Sequence, residues 1–238
     1  ENFDIEIIES DINPKLFFSQ IYELFSVREV HYNKIYEPEV IKKDLNLEKF
    51  FKDKIIFHSY NSSLLFDPLE IKNNSGSYFK VFTPYWRNCS HKLLLRTPIK
   101  EPNKINVFRS KKLKNNKIKS KVRQNTNWGK KILNYFMPGE ISARKQLSNL
   151  DQLIKGYSLK RDYPNDDRTS KFSVYLARGE LSVNEVMYQL MQKKKKINTN
   201  DYIKFSTQLG WREFSYSILN NFPKLPTNNF NCKFDNFK

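Results

Sequence analysis

The sequence predicts an α/β segment followed by an all-helical segment. Strand-like and helix-like patterns alternate as far as residue 66, whereas only helical patterns occur from Trp128 onward. A lysine- and arginine-rich stretch separates the two parts, and its residues 109–131 include ten basic side chains and no acidic one. Because this stretch has few apolar residues to bury, we expect an interdomain linker at about 96–127.

The alternation in the first part predicts parallel strands joined by helices. Strands are predicted over "FDIEIIES" (3–10), "EVHYNKIY" (29–36) and "KIIFHSYNSSLLF" (54–66). The first helix is predicted in "NPKLFFSQIYELFSVRE", where Asn13 suits a cap and Pro14 suits the first helical position. The second is predicted in "PEVIKKDLNLEKFFKD", and its inward-facing residues are expected to be Leu45, Leu47, Phe50 and Phe51.

The middle of the chain is dense in aromatic residues. After a turn signal, Asn-Asn-Ser-Gly at 73–76, the stretch "YFKVFTPYWRN" becomes helical toward Leu95. Three later helices are predicted in "GEISARKQLSNLDQLIKGY", "SVNEVMYQLMQKKKK" and "NDYIKFSTQLGWREFSYSILNNF". Ser182 and Glu185 form a capping-box pattern at the start of the second, and Pro223 ends the third.

The charge of the chain indicates a polyanionic partner. The net charge is +17 and the isoelectric point is about 9.7. A genome biased toward lysine and asparagine is an alternative source of part of this excess. The clustering in 109–131 indicates either a solvated linker or a segment that follows a phosphate backbone.

The residues present also exclude several classes of protein and site. Hydrophobic residues make up 39% of the chain, which argues against disorder, and no apolar run reaches the length of a membrane span. Neither a G-x-G-x-x-G motif nor a P-loop occurs. Cys89 and Cys232 are too few for a disulfide framework, which indicates a reducing compartment and a cytoplasmic location.

No metal site is predicted, because His31, His58 and His91 show no metal-ligand spacing with the cysteines. We also expect a monomer with no membrane partner. The chain starts at Glu1 without a secretory leader and ends without a capped element, so we expect a fragment of a longer protein.

The stretch "RDYPNDDRTSKFSVYLARGELS" (161–182) has two interpretations. In one, Thr169 and Ser170 cap a helix and do nothing else. In the other, backbone N–H groups at a helix start, three hydroxyls and the Lys171 ammonium form a cradle for an anion such as a diphosphate.

Three segments, taken in order, resemble the cryptochrome/DNA photolyase family. "YFKVFTPYWRN" is similar to a segment near the end of the family's first domain, and "GYSLKRDYPNDDRTSKFSVYLARGELS" is similar to its flavin-phosphate stretch. "LGWREFSYSILNNFPKLP" is similar to the family's DNA-facing helix, and "MPGEISA" and "KFDNF" are weaker matches. The resemblance spans roughly residues 27–238.

The resemblance implies a two-domain flavoprotein. Residues 1–95 would be an N-terminally truncated, Rossmann-like antenna domain, residues 96–127 a basic linker, and residues 128–238 the first half of a helical domain for FAD and DNA. The antenna chromophore is not identified, because Glu39-Val40 stands where folate-binding members carry Asn-Glu. The acidic flavin loop and the electron-relaying tryptophans would lie outside the chain, so we expect the chain alone to be inactive.

Residue roles follow from the same resemblance. Arg161 is implied to contact the DNA backbone, although Arg–Asp neighbours commonly form surface ion pairs. Gln208 and Trp211 are implied to act in catalysis and DNA binding, with Trp211 as an aromatic wall for the flipped lesion. Flavin contacts are implied for Tyr157, Thr169, Ser170, Lys171, Phe172, Ser173, Phe205 and Arg212. The family usually has Arg and Leu where Lys171 and Phe172 stand.

Helical spacing by itself places Gln208, Trp211 and Arg212 close together, with Phe205 one turn earlier. Without the resemblance, Phe205 and Trp211 would be interpreted as ordinary core residues. Glu213 is expected to be a structural ion-pair residue rather than a catalyst.

Gln208 departs from the cyclobutane-dimer branch of the family, which generally has Glu there. Gln at this place resembles the (6-4) photolyase and animal cryptochrome branch, whereas the flanking residues resemble bacterial dimer-repair enzymes. The resemblance implies light-dependent repair of pyrimidine dimers in UV-damaged DNA by electron transfer from reduced FAD. The alternatives are (6-4) photoproduct repair, a blue-light photoreceptor, or a basic nucleic-acid-binding module without catalysis.

Overall fold

The computed structural model describes residues 8, 10, 12–107, 127–166 and 169–236. Most of the predicted strand at 3–10 and most of the basic stretch at 109–131 therefore lie outside the described residues. The first elements are α1 (Pro14–Phe25), β1 (Glu29–Asn33), α2 (Pro38–Phe50), β2 (Ile56–Tyr60) and α3 (Phe82–Lys92). They are followed by α4 (Asn127–Ile132), α5 (Glu140–Ser148), α6 (Leu150–Leu153), α7 (Tyr157–Lys160), α8 (Ser173–Arg178), α9 (Val183–Gln192) and α10 (Thr199–Asn221). Short 3-10 helices cover Lys194–Lys196 and Cys232–Phe234.

The chain divides into two compact units. The first comprises Glu1–Tyr32, Lys43–Ser59 and Ile99–Tyr135, and the second comprises Asn33–Lys42, Tyr60–Pro98 and Phe136–Lys238. Among the described residues, no helix combines the length and the apolar composition that crossing a membrane would require.

Helix α1 starts as its sequence predicts. The Asn13 side chain accepts a hydrogen bond from the Lys15 amide at 2.9 Å, and Pro14 occupies the first turn, where a missing N–H costs nothing. The helix ends at Ser26, which has a left-handed φ of 51° and donates its N–H to the Tyr22 carbonyl. The prediction of this helix and its cap is confirmed.

The strands β1 and β2 form a two-stranded parallel sheet, with α2 as the connection between them. The Ile56 amide donates to the Arg28 carbonyl at one end, and the Lys34 amide donates to the Tyr60 carbonyl at the other. Because both partners advance together along the two strands, the pairing is parallel, as the alternating pattern predicts.

The prediction that Leu45, Leu47, Phe50 and Phe51 all face inward is partly wrong. Phe51 is buried and lies edge-on to Phe18, but the side chains of Leu45 and Phe50 are 58% and 56% exposed. Leu47 and Phe51 are four residues apart and share one face, whereas Leu45 projects from the opposite face. The Phe50 ring lies at the surface near the Lys15 ammonium.

The helix predicted from Gly139 to Tyr157 is three short helices instead. The Ser148 and Asn149 side chains both hydrogen-bond to the Lys145 carbonyl, so they compete with the helical ladder at the point where α5 ends. Gly156 adopts a left-handed φ of 77° just before α7. These two positions break the helix that hydrophobic periodicity alone predicted.

Helix α9 begins at its predicted cap. The Ser182 hydroxyl accepts from the Glu185 amide at 3.0 Å, which confirms the Ser182 half of the capping box. The Glu185 carboxylate lies 3.8 Å from Arg144 Nε.

Helix α10 is the central element of the second unit. Its 23 residues confirm the long helix that Pro223 was predicted to end, and its inward face includes Phe205, Leu209 and Phe214. Gly210 lies against α3 so closely that an added Cβ would come within 2.5 Å of the Trp86 indole. The absence of a side chain at Gly210 therefore allows α3 and α10 to pack at this distance.

Glu213 ties α10 to the segment at 63–66. Its carboxylate is almost completely buried, and its Oε2 accepts hydrogen bonds from the amides of Leu65 at 2.8 Å and Phe66 at 3.3 Å. Arg212 Nη1 lies 3.6 Å from Glu213 Oε1 and donates to the Ser63 carbonyl at 2.6 Å. The neighbouring Arg212 and Glu213 thus fasten one segment to one helix, and the expectation of a structural ion pair for Glu213 is confirmed.

The environment of Glu213 makes its ionisation costly. Burial raises the pKa of Glu213 to about 7, and this effect outweighs the Arg212 charge and the two amide hydrogen bonds, which lower it. Among the described residues, Glu213 Oε1 has no hydrogen-bond partner. Between about pH 4.5 and 7, the folded protein therefore holds a proton at Glu213 that the unfolded chain has already lost.

We expect Glu213→Gln to flatten the pH dependence of stability between about pH 4.5 and 7. In the wild type, the contribution of Glu213 to the free energy of unfolding falls as pH rises through this window, by about 3 kcal/mol. A glutamine oxygen can still accept from the Leu65 and Phe66 amides but does not ionise. Urea unfolding followed by circular dichroism at several pH values measures the difference between the two proteins.

Glu140→Gln is the matched control, because it removes a carboxylate whose side chain is 62% exposed. The control should keep the pH dependence of the wild type. An identical pH dependence in wild type and Glu213→Gln would contradict the prediction.

Candidate functional site

A cavity of about 640 Å³ lies within the second unit, between the segment at 169–173 and helix α10. Its volume is in the range of pockets that bind small molecules and cofactors. It is lined by Phe136, Tyr157, Thr169, Ser170, Lys171, Phe172, Ser173, Leu176, Ala177, Phe205, Gln208, Leu209, Arg212 and Tyr216. The structure thus brings together residues that are up to 80 positions apart, among them every residue for which the sequence implied a flavin contact.

One side of the cavity is aromatic. Tyr157, Phe172 and Phe205 are each at most 5% exposed. The Phe205 ring makes edge-to-face contacts with Tyr157, at 5.4 Å between centroids, and with Phe172, at 6.4 Å. Phe205 is therefore both a core residue, as its helical spacing suggested, and part of the cavity wall.

The other side is polar and is formed by the segment at 169–173. The Ser170 carbonyl accepts from the Gln146 side-chain amide, and the Ser170 hydroxyl accepts from the Phe172 amide at 3.4 Å. Lys171 has a φ of 55°, in the left-handed region that residues with a Cβ rarely adopt. This turn presents hydroxyls and the Lys171 side chain to the same cavity.

The helix that follows this segment, α8, does not support the interpretation that Thr169 and Ser170 only cap a helix. Helix α8 has only six residues, and its N-cap is Phe172 without a side-chain cap. Neither Thr169 nor Ser170 caps α8, so helix capping does not account for their presence. A helix this short also adds little dipole, so anion binding here would rest on the hydroxyls and Lys171.

Asp201 positions the tyrosine wall of the cavity, although the sequence analysis did not single it out. Its buried carboxylate accepts from the amides of Gly156 at 2.8 Å and Ser158 at 2.7 Å, at the start of α7. Burial opposes ionisation, but the hydrogen bonds from Ser158 and Gly156 prevail and lower the pKa of Asp201. From the sequence, Asp201 is only an acidic residue in the first turn of α10, which is a common place for one.

Arg161 joins Gln208 to Tyr157. Its Nη1 donates to Gln208 Oε1 at 2.5 Å and lies 3.4 Å from the Tyr157 hydroxyl, and its guanidinium lies 5.5 Å from the Tyr157 ring centre. Arginine has only donors, so this contact turns the amide oxygen of Gln208 toward Arg161. Arg161 also pairs with Asp162 at 3.0 Å, as neighbouring Arg and Asp residues commonly do.

Gln208, Trp211 and Arg212 lie within about one turn of α10, as their spacing predicts, but the cavity takes in only two of them. Gln208 and Arg212 line the cavity, and the Arg212 guanidinium lies 5.1 Å from the Tyr216 ring centre. Trp211 does not line it. Its ring is 44% exposed and stacks on Phe82 at 3.7 Å, because this part of α10 packs against α3.

Some cavity residues carried no signal in the sequence. They are apolar or aromatic residues whose types are typical of any core, namely Phe136, Leu176, Ala177, Leu209 and Tyr216. Helical spacing could have suggested only Leu209 and Tyr216. They lie three residues before and four residues after Arg212, on the same side of the helix.

Comparison with known proteins gives a consistent set of relatives. Residues 5–103 match the family described as DNA photolyase. The deoxyribodipyrimidine photo-lyase of Agrobacterium fabrum is 31% identical over 214 residues, which are 87% of this chain and 44% of that protein. Cryptochrome-2 of Arabidopsis thaliana is 25% identical over 210 residues, which are 82% of this chain and 34% of that protein.

A solved structure shows the same arrangement of the chain. The crystal structure of a bacterial class III photolyase from Agrobacterium tumefaciens superposes with a TM-score of 0.77 and 27% identity. The match covers 95% of this chain and 48% of that one, so the chain spans less than half the length of these two photolyases. The family match, the sequence relatives and the superposed fold agree, and the chain belongs to the DNA photolyase/cryptochrome family.

Proposed function

We propose that this chain supplies the phosphate-binding side of an FAD site and part of a DNA-binding surface for light-dependent repair of pyrimidine dimers. The observation that supports this most directly is the cavity itself, because its lining combines a hydroxyl-rich segment, a lysine and five aromatic rings. Simple nucleic-acid binding would not require a cavity of this size beside buried aromatic residues.

The residues present fit a flavin dinucleotide. A diphosphate carries charge that Lys171 can neutralise and oxygens that the hydroxyls of Thr169, Ser170 and Ser173 can bind. An aromatic ring system suits the opposite wall, where Tyr157 and Phe205 lie. Bound here, FAD would supply the light absorption and the electron, which no amino-acid side chain of the cavity can provide.

The chain's own residues would hold the cavity wall in place, orient the Gln208 amide and contact the flipped base. Asp201 holds Tyr157 in place through the amides of Gly156 and Ser158, and Arg161 fixes the amide of Gln208. The Gln208 side chain would hydrogen-bond a pyrimidine flipped out of DNA, where negative charge develops during repair. Trp211 and Phe82 form a stacked, partly exposed aromatic surface on which an extruded base could lie.

The DNA partner is proposed on charge. A net charge of +17 favours a polyanion, and phosphate contacts make such binding strongly dependent on salt. The resemblance implied that Arg161 contacts a DNA phosphate. Its guanidinium already contacts Gln208 and Asp162, so it is less available for that phosphate. We therefore assign it first to positioning Gln208 and second to DNA.

The domain assignment remains part of the proposal. Residues 1–95 would form the remainder of an antenna domain, residues 96–127 the linker, and residues 128–238 the first half of the flavin domain. The cytoplasmic location, the monomeric state and the inactivity of the chain by itself stay predictions. A blue-light photoreceptor is the second candidate, because relatives include a cryptochrome and because Gln208 stands where dimer-repair enzymes generally carry Glu.

We expect Ser170→Ala combined with Ser173→Ala to weaken FAD binding by the protein that carries this chain about a hundredfold or more. Each hydroxyl lost removes a hydrogen bond to a charged phosphate, which is worth about 1.5–3 kcal/mol. Fluorescence quenching in an FAD titration measures the affinity. Riboflavin lacks the diphosphate, so its affinity should be the same for both proteins.

The control for the flavin titration combines Ser206→Ala with Ser215→Ala. These two hydroxyls lie on α10 outside the cavity and donate to the carbonyls of Ile203 and Trp211. The assignment of phosphate binding to this segment would be wrong if the Ser170 and Ser173 changes left FAD affinity unchanged. It would also be wrong if the control lowered FAD affinity equally.

We expect Gln208→Glu to raise the quantum yield of cyclobutane-dimer repair. A protonated carboxyl group can donate a hydrogen bond and a proton to the lesion, so it acts on the charged state more than on the resting dimer. The measurement is repair of cyclobutane and (6-4) lesions under blue light by the protein carrying this chain, reconstituted with reduced FAD.

The repair assay also separates the candidate functions. If the protein repairs (6-4) lesions but not cyclobutane dimers, the proposed substrate changes to the (6-4) photoproduct. Absence of repair in wild type and variant, with flavin photoreduction intact, would favour the photoreceptor.

A further inference from the structure

Two histidines and a glutamate converge on the sheet of the first unit. Glu29 and His31 lie on β1, and His58 lies on β2. Since the strands are parallel neighbours, residues two apart on β1 share one face, and His58 projects from that same face of β2. Their ligand atoms all lie within 4.8 Å of one another.

The two separations that involve Glu29 match those of neighbouring ligands around a single ion. Glu29 Oε2 lies 3.5 Å from His31 Nε2 and 3.4 Å from His58 Nε2. Metal–ligand bonds of about 2.0–2.1 Å in a tetrahedron place neighbouring ligand atoms about 3.3–3.4 Å apart. The carboxylate oxygen thus lies from each imidazole nitrogen at about the distance that separates two ligands of one metal ion.

We infer that Glu29, His31 and His58 bind a divalent transition-metal ion such as Zn²⁺. Two imidazoles and one carboxylate form a ligand set that zinc accepts, with a fourth position left for water. The ion would join β1 to β2, because His58 is the ligand from the second strand. This inference does not depend on the proposed flavin function.

Binding requires a small change of side-chain conformation. The two imidazole rings are stacked, with centroids 4.6 Å apart and planes 13° from parallel, so each ring must turn for its Nε2 to point at a shared ion. The side chains of His31 and His58 are 55% and 40% exposed, and such rings can turn without repacking a core. The excess of positive charge on the chain opposes a cation, so we expect modest affinity.

The same geometry has a metal-free explanation. In that explanation, the imidazole N–H groups donate hydrogen bonds to the Glu29 carboxylate and the site binds no ion. Direct metal titration distinguishes the two, because only a coordination site depends on all three side chains together.

The experiment titrates Zn²⁺ into the untagged, metal-free chain in competition with a chromogenic chelator. We expect one equivalent to bind, and we expect His58→Ala and Glu29→Gln to lower the affinity at least about tenfold, since even the loss of an indirect partner of a metal commonly costs that much. Co²⁺ bound in place of zinc should give visible d–d bands that disappear in His58→Ala. Zinc should also raise the melting temperature of the wild type but not of His58→Ala.

Two controls remove other side chains of types that can bind zinc. His91→Ala removes the third histidine, which lies on α3, and Cys232→Ser removes the exposed thiol. Both should bind zinc as the wild type does, and circular dichroism should show that every variant is folded. Full zinc affinity in folded His58→Ala, or loss of the bound equivalent in either control, would overturn the site.

Discussion

The second unit depends on polar groups that α10 buries. The Glu213 carboxylate holds the amides at 65 and 66, Arg212 holds the carbonyl at 63, and Asp201 holds the amides at 156 and 158. These segments have no ladder partner of their own, so buried carboxylates satisfy backbone groups that would otherwise be costly to leave unpaired. A single helix thereby fixes two segments of the unit that are far apart in the sequence.

This arrangement explains where the cavity forms. Asp201 fastens its segment near the start of α10 and Glu213 fastens its segment further along the same helix, and Phe205, Gln208 and Arg212 line the cavity. The polar turn at 169–173 closes the other side, with Lys171 in a left-handed conformation. Because both walls are held by hydrogen bonds to buried groups, the cavity has a defined lining before any ligand binds.

Gln208 shows how the chemistry of the site depends on more than residue type. Its position on α10 follows from helical spacing, but the direction of its amide is set by Arg161, which reaches across from the end of α7. Trp211, only three residues further along, turns away to stack on Phe82. In the first unit, the parallel register of β1 and β2 has a similar effect, since it brings together His31 and His58, which are 27 positions apart.

Local pattern determined much of the secondary structure. The caps at Asn13 and Ser182, the alternation that gives parallel strands, and the long helix ended by Pro223 all depend on neighbouring residues. The segment at 169–173 could also be singled out, because hydroxyls and a lysine are unusual together. Tertiary structure alone decided that Phe51 rather than Phe50 is buried, that Trp211 stacks on Phe82, and that Asp201 and Glu213 hold distant amides. Those outcomes depend on partners far away in the sequence, and no periodicity within one element records which partner a side chain will meet.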